Sequence, residues 1–401
     1  MELCSKGHGY PAFFGDKSNI EFLLKQGVPL NDARDYAIAG CTLTQPPGKM
    51  GPARVFGGNM PKLLELALHD GVDPRTEMQA GPHTERFENF KTYEELYEAY
   101  KKQVHYFLNR SVKDHKQSAL YQVGIIPHLW PSILTNDCIK RGRPQNGGGP
   151  RYEQGMWYLL PHGPIDVADS LAAIKKCVYE DKRITQNQLL DALAADFKGE
   201  KTQETYHALL AAPKYGNDDD YVDLIARDVY SMLDDELSQL SACYGANYVQ
   251  APHSFTGHGA FGRATGALPS GRHAGLALAD GNASPAQGVD KHGITAVLKS
   301  AGKLDQGPMQ GCLLNQKLHP SAVKTKQDLQ KFMSLIKTYL IDLEGKHIQF
   351  NIISKESLIE AREKPDQHRA MVVRVAGYSA FWIELDGIIQ DEIIARTEQK
   401  I

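Results

Sequence analysis

The chain has 401 residues, 42% of them hydrophobic and 23% charged, with a formal net charge of −3. This is the profile of a globular protein large enough for one big core or two domains. It offers no electrostatic case for nucleic acid or an anionic membrane, and no apolar run approaches the length of a membrane span. Residues 1–8 lack the apolar core of a signal peptide, so a cytoplasmic location is expected. The six cysteines (4, 41, 138, 177, 243 and 312) include no Cys-x-x-Cys pair. Free thiols in a reducing compartment are expected, with no disulfide framework and no structural zinc or other metal site.

In chain order, an amphipathic segment over 19–26 is stopped by Gly27-Val28-Pro29, and 31–36 reads as a capped helical turn. The apolar Tyr36-Ala37-Ile38-Ala39 leads into Gly40-Cys41, after which Pro46, Pro47, Gly48, Gly51 and Pro52 forbid continued helix. A cysteine in that position is ordinarily a small core hydrophobe, but at the start of a loop it can also be presented into a cavity. A helix is predicted over 61–68. Another spans 92–108, where Thr92 and Glu95 make a capping box and Leu96, Tyr100, Val104 and Phe107 a stripe. Residues 116–135 read as helix and 141–151 as a glycine- and proline-rich loop. Trp157 is either ordinary core or the wall of an aromatic pocket. Helices follow near 166–179, 185–197 and 218–240.

Residues 245–305 are dense in glycine. Gly257 to Gly262 formally matches G-x-G-x-x-G, with Asp280 near the distance of a ribose-binding acid. A dinucleotide site needs a buried strand just before the glycines, and Ala251-Pro252-His253-Ser254-Phe255-Thr256 is a poor strand. The glycines are better explained by close crossing of segments. Strands are then predicted at 311–315, 347–353 and 371–375, and helices at 324–339, 354–363 and from 387. Helices alternate with short strands, as expected of an α/β fold with parallel strands.

The stretch Arg374-Val375-Ala376-Gly377-Tyr378-Ser379-Ala380-Phe381 follows the apolar Met371-Val372-Val373. One reading is a strand ending in a glycine turn. The other is chemical: loss of a hydrogen from a glycine Cα leaves a radical delocalised over the flanking amide and carbonyl, with no side chain to hinder planarity. This stretch resembles the radical-bearing loop of the glycyl radical enzymes, the superfamily of pyruvate formate-lyase. Residues 27–41, with Gly40-Cys41, resemble the lead-in to that superfamily's catalytic cysteine, and 261–297 resemble its glycine-rich signature. The resemblance implies a ten-stranded α/β barrel of which this chain supplies the C-terminal half. Residues 1–270 would belong to the catalytic barrel and 271–401 to the glycine radical domain, with Cys41 and Gly377 meeting inside.

Several further expectations follow from the resemblance. A separate activating enzyme, using an iron-sulfur cluster and S-adenosylmethionine, would install the radical on Gly377; this chain binds no cofactor itself. Many members carry a glutamate base two residues after the cysteine, whereas here that position is Leu43, and Glu77 to Thr84 resembles a segment of the benzylsuccinate and alkylsuccinate synthases. The implied reaction is therefore addition of a hydrocarbon to fumarate. Arg54 is the candidate clamp for a fumarate carboxylate; it is otherwise a solvated loop charge or an internal ion-pair partner. Alternatives are an acyltransferase, decarboxylase, dehydratase or other lyase of the superfamily, and, outside enzymes, a non-catalytic fragment or spare radical-domain subunit. Expected partners are the activating enzyme, an N-terminal half chain, small accessory subunits, and a second copy in a homodimer of the complete enzyme.

Overall fold

The computed structural model describes residues 1–7 and 9–400. In chain order the strands are β1 (Phe13–Phe14), β2 (Ala37–Ala39), β3 (Leu43–Gln45), β4 (Arg54–Asn59), β5 (Val72–Asp73), β6 (Met78–Gln79), β7 (Trp157–His162), β8 (Val249–Gln250), β9 (Asn315–Leu318), β10 (His347–Ile352), β11 (Val372–Arg374), β12 (Ser379–Phe381) and β13 (Glu398–Gln399). β4, β7 and β8 are parallel neighbours with β7 in the middle. β10, β9 and β13 are also parallel, and β1 adds to β10 antiparallel. The amides of Gln310 and Leu313 donate to the carbonyls of Gln250 and Pro252, both at 2.9 Å, and tie the two sheets together. β1 pairs with a strand more than three hundred residues later, so the expected 1–270 and 271–401 parts share one sheet.

Helices connect the parallel strands, which gives the α/β architecture that the alternation implies. Every residue of β7 and β10 is buried, as strands covered on both faces should be. The two faces are chemically distinct. Trp157 and Leu159 of β7, and Ile348, Phe350 and Ile352 of β10, enter the large core shared with the helices. Tyr158 and Leu160 point the other way and pack with Leu43 and Ala251. Because side chains alternate along a strand, His347, Gln349 and Asn351 share that second face. The candidate site is built there.

The capping box of Thr92 and Glu95 starts a single helix, Tyr93–Ile125. The predicted continuation to 135 is broken: Pro127 disfavours helical backbone in the residue before it, and a short helix, Leu129–Ile133, follows separately. The strand expected at 311–315 lies slightly later, at β9. Helix Glu200–Ala211 was not predicted; it buries Thr202, Thr205 and Leu209, so it shows no apolar stripe. Among the described residues no helix is long and apolar enough to cross a membrane. The end of the long helix, the short helix Leu129–Ile133 and the residues after it, up to the turn of helix Cys138–Arg141, expose an apolar ridge of Tyr121, Ile125, Leu129, Trp130 (81% exposed), Leu134 (80%) and Ile139 (75%).

Candidate active site

Two antiparallel hairpins carry the site. The first joins β2 to β3, and its last paired residues are Ala39 and Leu43. That leaves Gly40-Cys41-Thr42 as a three-residue tip, with Gly40 at φ +60°, a backbone state that glycine adopts without steric cost. The second joins β11 to β12 beyond the pair Arg374 and Ser379. Its four-residue tip, Val375 to Tyr378, is closed by the Val375 amide donating to the Tyr378 carbonyl at 2.9 Å.

The tips meet. Gly377 has φ +86°, and a Cβ added there would stand 2.6 Å from Cys41 Sγ and closer still to Cys41 Cβ. Only a residue without a side chain lets the two backbones approach so far. Cys41 is 7% exposed, and burial pushes its thiol up to about 11 against the opposing pull of the Arg374 charge. At neutral pH the sulfur therefore keeps its hydrogen.

The glycine tip is held by side chains rather than by a ladder. Asn351 Nδ2 donates to the Arg374 carbonyl at 2.6 Å, and the Arg374 amide returns a bond to Asn351 Oδ1 at 2.7 Å. The Val375 carbonyl accepts from Asn315 Nδ2 and Arg396 Nη2, each at 3.0 Å. The Arg374 guanidinium donates to Gln349 Oε1 at 2.6 Å and to the Gly377 carbonyl at 3.1 Å, and lies over the Tyr10 ring at 4.9 Å. Arg396 is paired in turn with Glu392 at 2.7 Å and Asp280 at 3.4 Å. Burial alone would raise the pKa of Glu392, but Arg396 and His258 outweigh it and hold Glu392 below the usual carboxylate range, whereas burial wins at Asp280 and raises it. The sequence pattern His-Ile-Gln-Phe-Asn-Ile over β10 held a signal for this network: polar residues alternate along a strand whose other positions are core.

The structure does not bring Arg54, the candidate carboxylate clamp, to Cys41. Arg54 is paired in register with Trp157, so it points to the helix side of the sheet, away from Cys41. There its guanidinium sits 4.5 Å from the Trp157 ring, donates to Glu153 Oε2 at 2.8 Å and to the Asn146 carbonyl at 3.0 Å, and is buried. The internal ion-pair alternative holds. Trp157 is likewise core, packed near His115 and Tyr248. Gly257 to Gly262 form a short helix, Gly257–Arg263, preceded by loop rather than strand. A Cβ on Gly259 would stand 2.9 Å from Ile389 Cδ1, and one on Gly262 2.9 Å from Ala277 Cα, so these glycines serve close segment crossing.

Comparison with known proteins gives the family. The pyruvate formate lyase-like family model matches residues 1–262, and the glycine radical model matches residues 279–383. The chain is 37% identical to trans-4-hydroxy-L-proline dehydratase from Clostridioides difficile, over 99% of this chain and 50% of that protein. It is 35% identical to indoleacetate decarboxylase from Tractidigestivibacter scatoligenes, over 98% of this chain and 48% of that one. Among solved structures, the glycerol-bound B12-independent glycerol dehydratase from Clostridium butyricum superposes with a TM-score of 0.95 at 37% identity, covering 100% of this chain and 50% of that one. A glycyl radical enzyme from Archaeoglobus fulgidus gives 0.91 at 31% identity, with the same coverage. The chain spans about half the length of the curated relatives it matches.

Proposed function

The chain belongs to the pyruvate formate lyase-like family of glycyl radical enzymes, and on that premise we propose that it is the radical-bearing half of a lyase, with Gly377 as the radical store and Cys41 as the hydrogen carrier. The observation that carries this reading is the contact of the two tips. A Gly377 radical would take the hydrogen atom from Cys41, restoring the glycine and leaving a sulfur radical. That sulfur would take a hydrogen from a substrate carbon, and return it to the product radical after a bond has broken or formed. The neutral thiol suits this role, since a hydrogen carrier needs S–H rather than the thiolate of polar catalysis. A buried junction also keeps water from the intermediates.

Dehydration or decarboxylation of a small polar substrate is the reaction class favoured by the named relatives, and it is preferred here to carbon–carbon bond formation. A second reading, hydrocarbon addition to fumarate, draws its structural support from one place, beside the resemblance of Glu77 to Thr84. Leu43, two residues after the cysteine, packs with Tyr158, Leu160 and Ala251, so this side of the thiol is apolar and carries no carboxylate base. A lyase would then take its acid or base from elsewhere in the complete barrel. The partner implied is an activating enzyme that installs the radical; the apolar ridge around Trp130 offers a surface on which the rest of the barrel would pack, because patches of that kind mark interaction surfaces.

The deciding experiment is anaerobic electron paramagnetic resonance of the chain with its activating enzyme and the remainder of the barrel. A doublet present in the wild type and absent from Gly377→Ala is expected, with turnover abolished in Cys41→Ala. Absence of the doublet in the wild type with a demonstrably active activating enzyme would sink the radical reading. Product analysis with a 1,2-diol, a 4-hydroxyproline, an arylacetate and a hydrocarbon–fumarate pair separates the two reaction classes.

A further inference from the structure

Two buried guanidiniums grip the glycine hairpin, and they differ in one respect. Arg396 donates to the Val375 carbonyl at 3.0 Å and is matched by two acids, Glu392 at 2.7 Å and Asp280 at 3.4 Å. Arg374 is buried as well, but its partners among the described residues are neutral. Nε donates to Gln349 Oε1 at 2.6 Å, Nη1 makes a longer bond of 3.4 Å to Ser379 Oγ, and the guanidinium lies 4.9 Å from the Tyr10 ring centre. The remaining nitrogen, Nη2, donates to the Gly377 carbonyl at 3.1 Å. An arginine keeps its charge even when buried, and a buried charge is ordinarily matched by an opposite one. Here three neutral oxygens share it, and one of them belongs to the glycine.

That oxygen matters to a radical on Gly377. The unpaired electron would spread from Cα to the amide nitrogen, which gives electron density, and to the carbonyl, which accepts it. The accepting form carries added negative charge on the carbonyl oxygen. A charged donor on that oxygen therefore stabilises the radical more than the closed-shell glycine, whose carbonyl is less polarised, and it does so where the surrounding medium screens little.

We propose that Arg374 is a positioning residue for the spin: through the Gly377 carbonyl it deepens the well in which the radical rests, and so sets how rarely the radical passes to Cys41. The step it biases is a plain hydrogen-atom exchange. The Cys41 S–H bond breaks, a Cα–H bond forms on Gly377 and the unpaired electron is left on sulfur, with no further oxidant or reductant. This role rests on the Gly377–Cys41 reading; the charged hydrogen bond does not.

The first test needs no radical. Gly-Tyr occurs twice in the chain, at 9 and at 377. Labelling with carbonyl-13C glycine and 15N tyrosine therefore leaves two signals, of which Gly377→Ala removes one. In Arg374→Met that signal should move upfield, as a carbonyl released from a charged donor does; an unmoved signal overturns the proposal. The second test follows the activated complete enzyme into D2O. The hydrogen left on Gly377 Cα is replaced when Cys41 returns deuterium from S–D, so the doublet collapses to a singlet at a rate set by how often the radical visits sulfur. Arg374→citrulline, made by semisynthesis of the C-terminal segment, keeps the shape and the donors and loses the charge. The collapse should quicken on the order of tenfold, about half the weight of a charged hydrogen bond, and the doublet splitting, which follows the spin on Cα, should widen. An arginine that merely holds the tips together gives the opposite sign, because a loosened contact slows the collapse. A slower or unaltered collapse overturns the proposal. A wild type without a doublet removes the Gly377 reading instead, and the carbonyl signal still reports the bond.

Discussion

The two hairpin tips touch, but they are held by opposite means. The Gly377 tip is fastened by buried charged and amide side chains: Arg374, Arg396, Asn315, Asn351 and, behind them, Glu392 and Asp280. The Cys41 tip leans on an apolar wall of Leu43, Tyr158, Leu160 and Ala251, with Thr42 and His253 as its nearby polar contact. A polar cage fixes direction, because each bond has a required geometry, whereas an apolar wall fixes position and tolerates small shifts. On the proposed reading, the glycine has one carbon to present to one sulfur, whereas the cysteine would face both the glycine and a substrate.

If that contrast is right, the largest effect will come from Arg396→Leu. It strands Glu392 and Asp280 in the interior, which should destabilise by about 3–5 kcal/mol, the usual cost of removing one partner from a buried pair; hydrogen exchange over residues 372–381 should rise sharply. Arg54→Leu strands Glu153 in the same way and should also cost about 3–5 kcal/mol. On the far face of the sheet, however, it should leave the exchange of that hairpin unchanged, so equal loosening of the hairpin would break the comparison. Gly377→Ala combines a left-handed backbone cost of about 1–2 kcal/mol with the clash against Cys41. Adding Cys41→Gly should relieve the clash and leave the backbone cost, as a double-mutant cycle in urea would show.

Cys41→Ser should be the mildest in stability, within about 1 kcal/mol, because the wall beside it stays intact. The pH dependence sharpens the same point. With the thiol raised to about 11, alkylation by iodoacetamide, which needs the thiolate, should stay slow at pH 7 to 9 and climb as pH nears 11. A profile centred on the ordinary cysteine range would mean that the tip is open to water.

The meeting of Cys41 and Gly377 was legible in the sequence because the signals of the candidate pair are local: a glycine with a fixed set of neighbours, a cysteine after an apolar run and before a proline-rich loop. The placement of Arg54 away from Cys41 was not legible, because its direction depends on register with Trp157, a pairing across about a hundred residues that periodicity cannot reveal. The cage around Gly377 was half legible. Alternation over 347–352 marked a strand, but its partners Asn315 and Arg396 come from separate segments and only the fold brings them together. Helix Glu200–Ala211 escaped because threonines occupy the buried positions where an apolar stripe would have marked it.

The apolar ridge at Tyr121 to Ile139 has a thermal consequence. It borders the cysteine loop, since the Gly48 carbonyl accepts from the Asn136 amide at 2.7 Å. Any association that buries it removes large aliphatic and indole surface from water, which gives the process a negative heat-capacity change and a driving force that fades on cooling. If an association covers this ridge, and with it the loop that follows Cys41, it should be weakest in the cold and favoured by warming toward physiological temperature.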